Sequence, residues 1–376
     1  MKIARVDVFG YDLSYVHGRY VMSGNRVIET LASTVVRVTT EDGVEGFGEV
    51  CPLGPAYLPA HAEGARAALR ELAGVVVGLD VSNLGQVNAA LDRALMGHGY
   101  AKSAIDTACW DAFGRTVGLP VCELLGGRLS DRFPLYFAVP LGPVEEMRDY
   151  VEARRAEGIH RFQLKIGADP YEDAARTRAV VEATGPEDIV VADANGGWRL
   201  QDAVVAARAI SDLERVFFEQ PCPTLEECLI VRQRTTLPMV LDECIRDVHS
   251  LLRAYEAKAL EAFNLKISKV GGLTRAKLMR DLAVQLGLRV TIEDAWGGDL
   301  VTAAVSHLAA STPPDTLFTV SFMNDWTNEK IAGHEPRSEN GFGSAPTKPG
   351  LGIDVDVALL GEPLLTVGAV TRRQTR

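Results

Sequence analysis

The 376-residue chain contains no run of Lys and Arg, and its formal net charge is −11. A nucleic-acid surface needs clustered cations that displace counterions from phosphate, so that class of partner is excluded. No stretch approaches the roughly 18 uninterrupted apolar residues of a membrane helix, and no membrane role is expected. The opening segment, MKIARVDVFGYDL, alternates like a strand and lacks the apolar core of a signal peptide. Cysteine is sparse: Cys51, Cys109, Cys122, Cys222, Cys228 and Cys244 form no CxxC pair. They read as buried thiols in a reducing compartment, which points to the cytoplasm. There is no GxGxxG turn, no low-complexity tract and no charged linker, which leaves a dinucleotide fold unsupported.

What is present is the composition of a packed globular protein, 47% hydrophobic and 24% charged. The length exceeds one ordinary core and suggests two domains or a large barrel with additions. Residues 1–128 read as an α+β unit: strands over Lys2–Val8, Thr30–Thr40 and Val44–Val50, then helices over His61–Val77 and Lys102–Val117. Glu41-Asp42-Gly43 marks a hairpin turn, and Gly118 with Pro120 closes the second helix.

From Phe133 the texture changes. Short apolar runs, LYFAV, FQLKI, IVVADAN, VFFEQP, MVLDE, FNLKIS, RVTIEDA and LFTVS, each end near a polar residue and alternate with amphipathic segments. Strands buried on both faces are continuously apolar, and this alternation implies a parallel sheet with right-handed crossovers. Lys165, Asp193, Glu219, Asp242, Lys266 and Asp294 end six successive runs at intervals of 28, 26, 23, 24 and 28 residues. In a TIM-type (β/α) barrel over residues 129–340 these points converge on the C-terminal mouth, where barrel enzymes keep their chemistry. The tail, 341–376, lacks the βα rhythm and is expected to pack back on the cap.

Single carboxylates at strand ends commonly cap a helix or pair with a lysine. Three in successive units, Asp193, Glu219 and Asp242, would repel one another strongly unless a cation joined them. Oxygen ligands that leave positions open for substrate suit Mg2+. Lys165 and Lys266 flank these strands and suit acid/base work, since burial and a nearby cation lower a lysine pKa. Metal and lysines together make the α-proton of a small carboxylate substrate removable, because the ion stabilises the enediolate.

These residues resemble the enolase superfamily, in the muconate-lactonizing-enzyme-like branch of the mandelate racemase/muconate lactonizing enzyme family. The resemblance runs from Gly46-Phe47-Gly48-Glu49 and Asp106-Thr107-Ala108-Cys109-Trp110-Asp111 to Gly350-Leu351-Gly352-Ile353. It implies a (β/α)7β barrel under an α+β cap. It also implies Lys165 and Lys266 as opposed bases, and Asp193, Glu219 and Asp242 as metal ligands. Gln163 stands where the family's KxK motif has its first lysine, and is expected to donate to a substrate or ligand carboxylate. Asn195, Glu243 and Lys269 are expected to support the ligands.

Glu49 to Pro59 and Glu293 to Asp299 resemble the group acting on proline derivatives. That implies Tyr57 and Trp296 as aromatic faces for a ring ammonium, Asp294 as its partner, and His17, Tyr20 and Arg26 on a lid. The expected reaction is dehydration of cis-3-hydroxy-L-proline. The alternatives are 2-epimerisation of proline or hydroxyproline betaines, or another racemisation or cycloisomerisation of the superfamily. A barrel that only binds a ligand would leave two opposed lysines without purpose. The expected assembly is a homo-oligomer.

Overall fold

The computed structural model describes residues 1–368. The chain opens with β1 (Ile3–Ser14), a small hairpin of β2 (Tyr20–Met22) and β3 (Arg26–Ile28), then β4 (Thr30–Thr40) and β5 (Glu45–Val50). Strand β1 runs past the expected Val8 because its ladder with β4 continues to Leu13↔Leu31 and Ser14↔Thr30. Helices α1 (Ala62–Val76), α2 (Leu84–Ala94), α3 (Gly99–Val117) and the single turn α4 (Val121–Leu124) follow. His61 caps α1, and Gly118, at φ 76°, ends α3. Helix α2 was not anticipated; it is capped by Asn83, whose side chain accepts from Gln86 N.

The cap is held by close approach of small residues. A Cβ on Gly46 would lie 2.2 Å from Ala108 O, and one on Gly48 would lie 2.1 Å from Ala104 O, so β5 and α3 pack backbone to backbone. Asp111, buried on α3, accepts from Phe47 N at 2.9 Å and from Leu351 N at 2.7 Å. One carboxylate therefore joins the cap sheet, α3 and the C-terminal segment.

Strand β6 (Phe133–Pro134) pairs with β15 (Phe342–Gly343). The barrel strands are β7 (Phe137–Val139), β8 (Arg161–Lys165), β9 (Ile189–Asp193), β10 (Val216–Glu219), β11 (Met239–Leu241), β12 (Ala262–Lys266), β13 (Arg289–Glu293) and β14 (Leu317–Val320). All are parallel, in sequential order. A Leu135↔Val320 bridge and a 2.9 Å bond from Tyr136 N to Val320 O close first strand to last. Helices α5 (Val144–Ala156), α6 (Pro170–Glu182), α7 (Leu200–Ala209), α8 (Leu225–Arg232), α9 (Val248–Glu256), α10 (Ile267–Val270) with α11 (Leu273–Leu286), and α12 (Asp299–Ala310) cover the outside. A short 3-10 turn, Met323–Trp326, follows β14 in place of a helix, which gives the (β/α)7β pattern. Inside, Val191, Val240, Ala262 and Phe318 pack with Phe217.

Strand β16 (Leu365–Gly368) adds to the cap sheet along β1, giving the order β16-β1-β4-β5. Cap and barrel also meet through Asp106, which accepts from Thr274 N at 3.0 Å and Thr274 Oγ1 at 2.6 Å. All six cysteines are free; five are buried and Cys244 is half-buried. Among the described residues no helix is long and apolar enough to cross a membrane.

Candidate active site

The barrel register puts the strand-end residues at one level. Lys165 lies opposite Asp193, Asp193 opposite Glu219, and Lys266 opposite Glu293. Asp242 directly follows β11. Strands β8 and β12 are four steps apart in either direction round an eight-stranded barrel, so Lys165 and Lys266 face each other across its mouth. Both line one small cavity between cap and barrel.

Lys165 Nζ lies 2.5 Å from Asp193 Oδ2 and donates to Gln163 Oε1 at 2.8 Å. The Gln163 amide in turn donates to Glu219 Oε2 at 3.1 Å, so it bridges a lysine and a carboxylate. Opposite, Lys266 Nζ bonds Asp242, contacts Glu293 Oε1 at 3.1 Å and donates to Tyr57 Oη at 2.7 Å. Lys269 Nζ holds Asp242 Oδ1 at 2.8 Å, and Asn195 Nδ2 links Asp193 Oδ2 at 2.8 Å to Glu243 Oε1 at 3.1 Å.

Burial pushes both lysines down, as expected, but the carboxylates outweigh it. Asp193, Tyr20 and Glu219 hold Lys165 above the ordinary lysine value, and Asp242, Glu293 and Glu243 do the same for Lys266. Between these side chains alone, each ammonium serves as a carboxylate's counter-charge. Burial, then Asp193 and Asp242, push Glu219 well up. Burial and Asp242 push Glu243 up to about 7. For Asp242 itself burial is outweighed by Lys266 and Lys269, which hold it low.

A cluster with more carboxylates than cations, Glu219 strained upward and Glu243 Oε2 buried without a partner, has the donor chemistry that a divalent ion would balance. A second cluster, His160, Glu187 and Asp188, lies at the opposite end of the barrel, where Arg155 Nε contacts Asp188 Oδ2 at 2.6 Å and Arg155 Nη2 contacts Glu187 Oε1 at 3.2 Å. Both of those carboxylates are already engaged by Arg155.

Tyr57 and Trp296 both line the cavity. Tyr57 does so with its hydroxyl, donating to Asp242 Oδ2 at 3.0 Å, as much as with its ring, which lies 5.2 Å from Lys266 Nζ. Asp294 also lines the cavity, but its carboxylate accepts from Ser268 N at 2.9 Å, Ser268 Oγ and Ala295 N at 2.7 Å. Burial raises it to about 6. Of the lid residues, Tyr20 is buried in the cavity wall, Arg26 sits 5.9 Å from the Tyr57 ring centroid and His17 is exposed.

Sequence reasoning missed Glu293, Tyr136, Asn264 and Trp326. Tyr136 Oη donates to Glu293, and Asn264 Nδ2 bridges Glu219 Oε1 at 2.7 Å and Glu293 Oε1 at 3.1 Å. Trp326 stacks with Tyr20 at 6.4 Å and packs on Trp296 at 5.7 Å. The interval from Lys266 to Glu293 is 27 residues and to Asp294 is 28, so spacing alone could not separate the two.

Comparison with known proteins places the overall fold in one family. The family model for the mandelate racemase/muconate lactonizing enzyme N-terminal domain matches residues 20–126, and that for the enolase C-terminal domain-like family matches residues 146–359. The chain belongs to the mandelate racemase/muconate lactonizing enzyme family. It is therefore an enzyme of the enolase superfamily. Within that family it is 46% identical to a cis-3-hydroxy-L-proline dehydratase of Roseibium aggregatum over 97% of this chain and 99% of the relative. It is 32% identical to muconate cycloisomerase 1 of Pseudomonas putida over 88% and 89% of the two chains. A mandelate racemase/muconate lactonizing enzyme structure from Roseovarius nubinhibens, complexed with magnesium, superposes with TM-score 0.94 at 34% identity, covering 98% of this chain and 100% of the other.

Proposed function

We propose that this enzyme dehydrates cis-3-hydroxy-L-proline in a Mg2+-dependent reaction that begins with removal of the α-proton. The observation that carries the reading is the pair of lysines, Lys165 and Lys266, facing each other across one small pocket. In cis-3-hydroxy-L-proline the hydroxyl lies on the same face of the ring as the carboxylate, so the α-proton lies on the other face. Proton and hydroxyl must leave from opposite faces, which requires a base on one side and an acid on the other.

One lysine, neutral, takes the α-proton from its face. The other, protonated, gives its proton to the departing hydroxyl, and water leaves as the electron pair forms the C2–C3 double bond. The enamine product tautomerises to a cyclic imine. Asp193, Glu219 and Asp242 would hold the ion, which when bound neutralises the substrate carboxylate and so lowers the cost of the enediolate. Asn195, Glu243 and Lys269 fix the positions of Asp193 and Asp242. Gln163 orients Lys165 and Glu219 together. Asp294 and the faces of Tyr57 and Trp296 receive the ring ammonium; a ring NH2+ can donate to Asp294, whereas the quaternary nitrogen of a betaine cannot. In this reading residues 129–340 carry the chemistry, with 1–128 and the described part of the C-terminal segment, 341–368, as the cap, residues 369–376 lying outside the described residues, and the 46% identity to a dehydratase supports it.

The experiment compares turnover of cis- and trans-3-hydroxy-L-proline and of proline betaines, with and without a chelator. The cis isomer should lose water and the trans isomer should not. Chelation should abolish the reaction and magnesium restore it. Efficient betaine epimerisation without dehydration, or full activity after metal stripping, would overturn the reading.

A further inference from the structure

The motif Gly46-Phe47-Gly48-Glu49 carries a buried carboxylate that the chemistry above does not use. Glu49, at 3% exposure, ends up between cap and barrel. Its Oε1 accepts from Tyr11 Oη at 2.6 Å and Ser33 Oγ at 2.7 Å, both on the cap sheet, and from Gly298 N at 3.0 Å on the barrel. Its Oε2 accepts from Val301 N at 3.1 Å.

Gly298 is the N-cap residue of α12 and makes no side-chain cap bond, having no side chain to make one. The first turn of a helix leaves backbone N–H groups unpaired, and a carboxylate there satisfies them and opposes the helix dipole. Glu49 supplies this cap from the other half of the molecule. The fit is tight: a Cβ on Gly298 would lie 2.4 Å from Tyr11 Oη, and one on Gly297 would lie 2.3 Å from Val301 Cβ. The turn so anchored directly follows Asp294, Ala295 and Trp296, which line the active-site cavity.

We propose that Glu49 is a positioning residue through which the cap sets the substrate wall formed by Asp294, Ala295 and Trp296. It does not touch the metal ligands or the lysines, which lie on other strands. Loosening it moves the wall and leaves the acid/base pair in place. The consequence falls on substrate affinity and not on the proton-transfer steps. The proposal rests on the assignment of that cavity as the substrate site.

The test uses Glu49→Gln in the full chain. The glutamine NH2 would confront one of the two backbone N–H donors, leaving a buried donor unpaired, a loss worth about a tenfold change in an equilibrium. Hydrogen exchange at Gly298 and Val301 should accelerate, KM for cis-3-hydroxy-L-proline should rise about tenfold, and kcat should stay within about threefold. Trp110→Phe is the comparison, since the Trp110 Nε1 bond to Thr274 Oγ1 at 2.9 Å also ties cap to barrel but away from this turn. It should leave KM unchanged at similar loss of thermal stability. Equal KM shifts in both variants, or unchanged exchange and KM in Glu49→Gln, would overturn the proposal. If wild type proves inactive on this substrate, the functional reading fails, and the exchange measurement still decides whether Glu49 anchors the turn.

Discussion

His307 shows how one buried side chain is fixed by its two ring nitrogens. It lies on α12, accepts from Cys122 N at 3.1 Å through Nδ1 and meets Leu351 O at 3.0 Å through Nε2. Burial pushes its pKa down to about 4 from an unfolded value of 6.5. The unfolded chain therefore gains a proton at a pH where the folded chain does not. The stabilisation is fully present above about pH 6.5 and is lost as pH falls toward 4, by up to ~3 kcal/mol. His307→Gln keeps an acceptor and a donor without a titration. Urea unfolding between pH 7 and pH 4 should show wild type losing stability relative to this variant, and a pH-independent difference would remove His307 as the cause. From sequence, His307 was only one of the six histidines other than His17, none of which shows ligand spacing. Strand-end residues were legible because the βα repeat places them; their hydrogen-bond partners were not. Gln163 stood out as a departure from a motif, but its bridge between Lys165 and Glu219 depends on side-chain packing that no spacing encodes.

At the scale of elements, the eight barrel strands could be read because burial on both faces makes each a continuous apolar run. The hairpin of β2 and β3 could not, since three-residue strands carry no period, and α2 was obscured by its mixed surface sequence. The small-residue motifs were recognisable as motifs, yet their work is packing. Gly46 and Gly48 let α3 lie on β5, and Asp111 pins Phe47 and Leu351. Gly48→Ala would drive a methyl to 2.1 Å from Ala104 O, a backbone atom that can yield only if α3 moves. The expected cost is about 3 kcal/mol, read as a lowered denaturation midpoint. A variant as stable as wild type would show that the helix is free to shift.

For the whole molecule, the barrel presents acids and bases from consecutive strands, and the cap closes over them. Tyr20 and Tyr57 reach the pocket from the cap, Tyr136, Trp296 and Trp326 from the barrel. The tie runs in both directions: the bridge Tyr15↔Thr327 and the bond from Val16 N to Trp326 O at 3.0 Å fasten the start of the lid segment to the last barrel loop. The central claim is that Lys165 and Lys266 work on opposite faces of one substrate. It is tested most directly by giving magnesium-loaded Lys165→Ala and Lys266→Ala enzymes cis-3-hydroxy-L-proline in heavy water. Dehydration should fall at least about a hundredfold in both. The variant missing the acid should still exchange the α-proton for deuterium, and the variant missing the base should not. Dehydration near the wild-type rate in either variant would contradict the account.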